Sequence, residues 1–319
     1  MDKIKIGTSN IEGSRIALGC MTIGGSWDRN PISKEDEKRA IATINAALEE
    51  GINFFDHADI YCLGKSEEVF SKIWDTNPNL RENIILQSKC SIDIFSDENP
   101  SYDHSKDYIL NAVDGILSRL KTDYLDILLL HRPDTLVEPE EVAEAFDILE
   151  NSGKVRNFGV SNYNAMQIQL LQKFVKQPII TNQMEISLQN SSLIDQGMNV
   201  NCNVNPGYMR NDGTLEFCRL HDIILQAWSP LAGGRIIGDS VDEKYAKLNS
   251  IVGEYAEKYE VSKEAILTAW LLRHPAKIQP IIGTRSPERI KAICKAVNVE
   301  LTRREWYNLY NSVDDRRLL

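Results

Sequence analysis

Four polar residues stand at the ends of consecutive predicted strands or just beyond them. Asp56 ends one strand, and Tyr61 follows five residues later. Lys89 ends the next predicted strand, and His131 ends the one after that. A buried lysine needs a carboxylate partner, and its ammonium group lowers the cost of forming a phenolate, so the phenol can give up its proton near neutral pH. With an imidazole to orient the substrate, these residue types predict proton donation to a carbonyl oxygen.

Two alternatives compete with this interpretation. A single polar residue at a strand end is more often a satisfied structural group, but four of complementary type favour a site. His57 and Asp59, next to Asp56, could also belong to the metal centre of a barrel hydrolase. That centre would need further ligands at other strand ends, and the Lys89 ammonium would repel the cation. We therefore predict no metal.

Short apolar runs alternate along the chain with segments of helical period, which is typical of βα units. We predict eight strands, at Ile16–Gly19, Asn53–Asp56, Ile84–Lys89, Leu125–His131, Asn157–Ser161, Ile179–Gln183, Ile224–Trp228 and Pro280–Gly283. The predicted helices are Lys34–Glu50, Ser66–Trp74, Ser105–Leu120, Pro139–Asn151, Ala165–Lys173, Gly213–His221, Lys244–Tyr259, Ser262–Arg273 and Ser286–Val297. Eight repeats favour an α/β fold of the (β/α)₈ TIM-barrel type, as one domain over residues 1–319.

Two further segments lie outside this repeat. Lys3–Ile6 and Gly13–Ile16 could form a short N-terminal hairpin that caps the bottom of the barrel. Leu193–Met209 is crowded with asparagine, glycine and proline, so we predict a long loop, mobile or acting as a lid, on the C-terminal face.

Composition narrows the class of protein. The 319 residues carry 36 Lys+Arg against 46 Asp+Glu, a net charge of −10, which disfavours nucleic acid as a partner. No run of 18 uncharged apolar residues and no signal peptide is present, so we expect neither a membrane span nor export by that route. The six cysteines are scattered without a C-x-x-C pair, which is typical of reduced thiols in a cytoplasm.

The sequence resembles the aldo-keto reductase superfamily over nearly its whole length. Its most specific stretches are Asn53–Tyr61 with Gly64 and Glu67-Glu68 following, Asp123–His131, and Gly153–Asn162. Asn182-Gln183, Ala227–Leu231 and Ile282–Ile290 add the pattern of the family's cofactor site. The later features look like the bacterial YdhF-type oxidoreductase branch.

The resemblance implies NAD(P)H-dependent reduction of an aldehyde or ketone without a metal or a covalent intermediate. Tyr61 then becomes the general acid, Lys89 the group that depresses its pKa, and Asp56 the partner of that lysine. His131 polarises and orients the carbonyl group of a small-molecule substrate. A hydride from nicotinamide C4 would attack the carbonyl carbon.

A cofactor site can also be assigned from the residues at the strand ends. Amides and hydroxyls there suit a carboxamide, an aromatic residue can stack on nicotinamide, and small residues admit phosphate. Two arginines near the last helix favour NADPH, with NADH as a weaker alternative. The candidates are Gly19, Met21, Thr22, Asp56, Ser161, Asn162, Gln183, Trp228, Ser229, Pro230, Leu231, Gly233, Gly283, Thr284, Arg285 and Arg289, with Gly234 in the same loop as Gly233.

Substrate and assembly are less constrained by the sequence. The substrate pocket should be walled by Met21–Gly24, Trp27, the region of His104, Leu188–Met209 and the C-terminal tail. Barrels of this superfamily also serve as cofactor-binding regulatory or sensor subunits, and the complete set of four residues argues for the enzyme instead. No heptad or large apolar stripe is evident, so a monomer is the default.

Overall fold

Eight parallel strands form a closed barrel in the computed structural model, which describes residues 1–94, 99–198, 213–237 and 242–313. Each strand pairs with the next along the chain, and the eighth pairs with the first. The predicted TIM barrel is confirmed, with small displacements of the strand ends. The first to eighth barrel strands are Ala17–Gly19, Phe54–Asp56, Ile85–Cys90, Ile127–Leu130, Phe158–Ser161, Ile179–Glu185, Ile224–Trp228 and Gln279–Ile282.

Helices surround the strands and bury apolar residues against the outer side of the barrel. In the outer core, the rings of Phe146 and Phe158 stack at 4.0 Å. No described helix is long and apolar enough to cross a membrane. The α-helices within the described ranges are Lys34–Glu49, Lys65–Phe70, Lys106–Leu120, Pro139–Asn151, Ala165–Gln172, Ser192–Met198, Thr214–Leu220, Ala246–Tyr259, Lys263–Leu272, Pro287–Cys294 and Arg303–Tyr310.

The second and the last α-helix differ from the expectation. The second α-helix ends at Phe70 and continues as a 3₁₀ helix over Ser71–Asp75. The helix Arg303–Tyr310 was not predicted, although its N-terminus carries a capping box in which Thr302 and Glu305 satisfy each other's backbone N–H groups.

The predicted loop over Leu193–Met209 is wrong at its start, where Ser192–Met198 is helical. Leu193 and Ile194 are buried against the core, and the Tyr310 hydroxyl donates to Asp195 Oδ1 at 2.8 Å. Burial of this apolar turn outweighs the loop-forming composition that follows it. Residues 199–209 lie outside the described residues.

An N-terminal hairpin closes the bottom of the barrel. Lys3–Lys5 pairs antiparallel with Glu12–Ser14, as predicted. Ile4, Ile6 and Ile11 pack against the apolar residues that fill the lower barrel interior. Those residues are Ala17, Phe54, Ile85, Ile127, Leu129, Ile180 and Ile281.

The interior changes from apolar to polar towards the carboxyl ends of the strands. Because side chains alternate along a strand, Ile85, Gln87 and Lys89 of the third strand all point inward at rising levels. In the sixth strand, a register shift between Ile179 and Asn182 interrupts the pairing with the fifth strand. The barrel therefore presents an apolar floor, a layer of buried amides, and a reactive layer above them.

Candidate active site

Lys89 is the centre of the reactive layer. Its ammonium nitrogen donates to Asp56 Oδ2 at 2.8 Å, to the Tyr61 hydroxyl at 2.9 Å and to the carbonyl oxygen of His57 at 2.8 Å. The Lys89 side chain is fully buried, and Asp56 is almost so. The structure thus brings together three of the four predicted catalytic residues through one nitrogen atom.

Tyr61 is placed by the backbone that leaves the second strand. The backbone N–H groups of His57 and Asp59 donate to the backbone carbonyl oxygens of Gln87 and Lys89, which extends the hydrogen bonding between the second and third strands. A tight turn follows, in which Cys62 and Leu63 have φ of 49° and 59°. This left-handed backbone is costly for residues with a side chain, and such strain persists only where surrounding contacts enforce it. The turn holds the Tyr61 ring 4.7 Å from Lys89 Nζ.

The pKa of Tyr61 differs from the expectation. Burial raises the pKa of the Tyr61 phenol above its ordinary value, and the Lys89 cation opposes this rise without reversing it. The predicted depression of the Tyr61 pKa is therefore corrected, because burial outweighs the neighbouring cation. Burial lowers the pKa of Lys89, but Asp56 and Tyr61 together outweigh burial and raise it. The arrangement holds a protonated phenol against a protonated lysine.

His131 completes the group from the end of the fourth strand. Its ring lies edge-on to the Tyr61 ring, with centroids 6.0 Å apart. Burial, followed by the charges of Lys89 and Arg132, holds the pKa of His131 well below its usual range. The imidazole is therefore neutral near pH 7 and can orient a carbonyl group without competing with Tyr61 as an acid.

A cavity of about 820 Å³ opens above these residues. It is lined by Asp56, Tyr61 and His131, whereas Lys89 lies beneath Tyr61. It is also lined by every predicted cofactor residue except Thr22, whose carbonyl oxygen accepts from Arg285 at 3.4 Å. The residues predicted from the sequence therefore form most of the lining of this one cavity.

Of the predicted substrate walls, only Met21 and Trp27 line this cavity in the described part of the chain. His104 instead lies beside Tyr163, at 6.5 Å between ring centroids. Sequence reasoning missed several lining residues, since nothing local marks them. They are Ile60, Ile92, Arg132, Ile237, Lys263, Glu264, Ile281 and Ile293.

One end of the cavity carries polar groups suited to a carboxamide. The Asn162 amide donates to Ser161 Oγ at 2.9 Å, and Trp228 Nε1 donates to Asn162 Oδ1 at 3.1 Å. The Gln183 amide nitrogen donates to Asp56 Oδ1 at 3.0 Å. The guanidinium of Arg132 lies 6.0 Å from the centroid of the Trp228 ring. Of these carboxamide candidates, Gln183 is bonded directly to the Asp56 carboxylate.

The other end has the features of a phosphate site. Gly233 and Gly234 have φ of 64° and 80°, and a side chain at either would meet nothing within 4 Å, so the backbone is open to a ligand. Ser286 caps the helix Pro287–Cys294 by accepting from the Arg289 N–H. Arg285 lies 3.8 Å from Asp36, and the Arg289 side chain extends from the first turn. Helix N-terminus and arginines together favour an anion here.

The described residues contain no group of three His, Cys, Asp or Glu side chains that could hold a metal ion. His57, one half of the possible metal pair, is fully buried with its ring 4.7 Å from the Phe70 ring. Burial, then the charge of Lys89, lowers its pKa to about 3. His57 is therefore a neutral core residue.

Comparison with known proteins gives a consistent picture. The profile of the Aldo/keto reductase family matches residues 15–313. The chain is 37% identical over 299 residues to the uncharacterized oxidoreductase YcsN of Bacillus subtilis, covering 91% of this chain and 93% of that protein. It is 33% identical to oxidoreductase YdhF of Escherichia coli (97% and 96% covered) and 33% identical to a 6-dehydroglucose reductase of Agrobacterium fabrum (95% of each). The predicted resemblance to the YdhF-type branch is confirmed.

Solved structures share the fold. The glycerol dehydrogenase of Gluconobacter oxydans superposes with a TM-score of 0.81 at 24% identity, covering 98% of this chain and 94% of that one. The holo form of an aldo-keto reductase from Bacillus halodurans gives 0.75 at 24% identity, with 99% and 97% covered.

Proposed function

The chain belongs to the aldo/keto reductase family of oxidoreductases, and from this premise we propose that it reduces aldehydes or ketones to alcohols with NAD(P)H. The observation that carries the proposal is the contact of Lys89 with both Tyr61 and Asp56 at the inner end of the cavity. On this proposal Tyr61 is the proton donor, Lys89 the cation that supports it and Asp56 the counter-charge of that cation.

The cavity residues fit a nicotinamide dinucleotide. The cavity volume of about 820 Å³ lies within the range of about 300–1,000 Å³ found for ligand pockets. Gly233 and Gly234 leave room for phosphate, and Ser161, Asn162 and Gln183 supply groups for a carboxamide. Trp228 offers an aromatic face beside Asn162. These residues would hold the cofactor.

Tyr61, Lys89 and His131 act on the carbonyl oxygen of the substrate. A nicotinamide cofactor held by these residues would supply the hydride for the carbonyl carbon. Tyr61 donates its hydroxyl proton to the oxygen, so that the phenol O–H bond breaks and the alcohol O–H bond forms. The Lys89 ammonium stabilises the resulting phenolate, while neutral His131 orients the carbonyl group. In the reverse direction, the Tyr61 phenolate would accept the alcohol proton.

The pH dependence of reduction follows from the pKa shifts of Tyr61 and His131. Because burial raises the pKa of Tyr61 above about 10, its acid form persists through neutral and mildly alkaline solution. The lowered pKa of His131 keeps the imidazole neutral above pH 6. We therefore expect kcat for reduction to stay level between about pH 6 and pH 9 and to fall only above that range. A kcat profile that declines with a midpoint below pH 8 would contradict this.

We further propose that the enzyme prefers NADPH to NADH and uses NADH more weakly. Arg285 and Arg289 are the groups that would contact a 2′-phosphate, together with Thr284. Arg289→Ala should raise the Kd for NADPH by roughly 10- to 100-fold, because a charge-assisted phosphate contact is lost, and change the Kd for NADH little. Fluorescence titration measures both. Equal weakening of the two cofactors would remove Arg289 as the phosphate contact.

The same titration tests the proposed function as a whole. Purified protein is titrated with NADPH and NADH, and loss of nicotinamide absorbance is then followed with a panel of carbonyl compounds. The panel should include 6-dehydroglucose, since a relative at 33% identity bears that reductase's name. NADPH binding with turnover supports the reductase. Binding without any turnover would favour a sensor subunit, and no binding would overturn the site.

We also propose that the enzyme works as a monomer in the cytoplasm, as one domain over residues 1–319. The buried cysteines of the described residues support a reducing compartment, since all are free thiols. They are Cys20, Cys62, Cys90, Cys218 and Cys294.

A further inference from the structure

Arg132 brings a positive charge to the part of the cavity that holds His131. Its side chain lines the cavity and is partly buried. The guanidinium carbon lies 6.0 Å from the centroid of the Trp228 ring, and its charge acts on the neighbouring His131 imidazole. Within the described ranges, this guanidinium has neither a hydrogen bond nor an ion pair. Arg132 is therefore a cation of the cavity wall without a counter-charge from those residues.

The carboxylates nearest to the cavity are engaged elsewhere. Among the residues that the structure describes, Asp56 and Glu264 are the two that line the cavity. Asp56 accepts from Lys89 at 2.8 Å. Glu264 belongs to the helix Lys263–Leu272, which packs against the helix of the phosphate end. Asp134, two residues after Arg132, accepts from the Leu136 N–H group at 2.8 Å.

A guanidinium in this state favours an anionic ligand. A cation that is partly removed from water loses solvation free energy, and an anion that accepts its hydrogen bonds offsets that loss. The chain as a whole carries a net charge of −10, which repels anions. An anionic compound is therefore attracted to this cavity by its local cations and not by the overall charge of the protein.

The cofactor phosphates are assigned to a different part of the cavity. Gly233, Gly234 and Arg285 lie at the phosphate end, whereas Arg132 follows directly on His131, which is proposed to orient the carbonyl group. An anion bound to Arg132 would thus belong to the second ligand, the carbonyl compound. It would lie only a few bonds from the reacting carbon.

The wall beside Arg132 is apolar. The third and fourth strands end side by side, with Cys90 paired to Leu130, so Ile92 and Arg132 each follow two residues later on neighbouring strands. The carbonyl oxygen of Ile92 accepts from the Tyr108 hydroxyl at 3.1 Å, which holds this wall in place. Ile92 lines the cavity and suits the carbon chain between a carbonyl group and an anion.

We propose that the substrate is a short-chain carbonyl compound that carries a carboxylate, and that Arg132 binds this carboxylate. The planar guanidinium matches a carboxylate through two parallel hydrogen bonds. The inference rests on the proposed function and deepens it by naming the substrate class. The product is the corresponding hydroxy acid: the hydride forms the new C–H bond, Tyr61 supplies the O–H proton, and the carboxylate is unchanged.

The test compares two aldehydes of the same length, 4-oxobutanoate and 4-methylpentanal, in which an uncharged isopropyl group replaces the carboxylate. The measured quantity is the ratio of their kcat/KM values at saturating NADPH, which should exceed one in the wild type. Arg132→Met should lower this ratio by about 10- to 100-fold, the effect of losing hydrogen bonds to a charged group. Because the ratio is taken within each variant, a general loss of turnover cancels.

A second variant separates charge from packing. Arg132→Lys keeps the charge and loses the planar pair of donors, so its ratio should lie between those of the wild type and Arg132→Met. It also answers the question if Arg132→Met does not fold. If Arg132 only supported the position of His131, both aldehydes would lose kcat/KM equally and every ratio would equal that of the wild type.

The control is Arg156→Met, which removes a positive charge at the amino end of the fifth strand, where Arg156 lies 3.5 Å from Asp126 and does not line the cavity. Its ratio should match that of the wild type. A wild-type ratio of one or less, or an unchanged ratio in both Arg132 variants, would overturn the inference and leave the reductase intact. So would a rise in the Kd for NADPH that exceeds the fall in the ratio, since Arg132 would then bind the cofactor. Failure of the wild-type protein to bind NADPH would instead overturn the proposed function and the inference with it.

Discussion

Tyr61→Phe is expected to lower kcat for carbonyl reduction by about 10²- to 10⁴-fold, the usual contribution of a positioned general acid. The substitution removes the proton donor and almost no volume, and the ring can keep its place 4.7 Å from Lys89 Nζ. The Kd for NADPH should remain within about threefold, since the hydroxyl group contacts Lys89 and the substrate oxygen. Steady-state kinetics and fluorescence titration measure the two quantities.

Tyr255→Phe is the matched control, because its hydroxyl group accepts from Asn308 on the outer helices, far from the cavity. Its kcat should equal that of the wild type. If Tyr61→Phe lost NADPH binding as strongly as turnover, Tyr61 would be a cofactor-binding residue and another group would have to supply the proton.

Asp56→Asn should destabilise the protein by about 3–5 kcal/mol, the range measured when one partner of a buried ion pair is removed. The two side chains have the same shape, but Lys89 would be left at a fully buried position without a carboxylate to balance its charge. Turnover should fall as well, since the cation supporting Tyr61 would lose its counter-charge. Urea unfolding at pH 7 measures the first effect and kcat the second.

The comparison for this variant is Asp114→Asn, which breaks an exposed ion pair with Lys154 on the barrel surface. Exposed pairs contribute about 0–1 kcal/mol, so its unfolding midpoint should hardly move. Equal and small effects of the two substitutions would show that the Lys89 charge does not depend on Asp56.

The sequence could predict the barrel because its signals are local. Apolar β-branched runs and capping residues such as Ser105 and Ser262 mark strands and helix starts within a few residues. Asp56, Lys89 and His131 could be singled out because a charged or titratable residue at the end of an apolar strand needs a partner. The asparagine-rich sequence after residue 198 favoured a loop and so concealed the helix Ser192–Met198. That helix has seven residues, too few to show a clear helical periodicity.

Other features depend on contacts that only the folded chain creates. Gln87 and Gln279 occupy ordinary polar positions in the sequence, and their complete burial inside the barrel arises only when the barrel closes. Arg132 and Lys263 line the cavity from distant segments. The raised pKa of Tyr61 could not be foreseen either, because the competition between burial and the Lys89 charge is set by depth in the fold.

Among the described residues, the apolar floor closes the lower end of the barrel, so on the proposed function a proton would reach Tyr61 from the cavity side. Ile4, Ile6 and Ile11 pack beneath the barrel interior, and the glutamines above them are buried; these are Gln87, Gln183, Gln226 and Gln279. Within the described residues, Tyr61 therefore faces water only through the cavity that also admits the carbonyl compound. A phenolate formed during reduction would regain its proton only after the alcohol has left. On the proposed function, product departure and reprotonation of Tyr61 would therefore be coupled, and a slowly leaving alcohol would delay both.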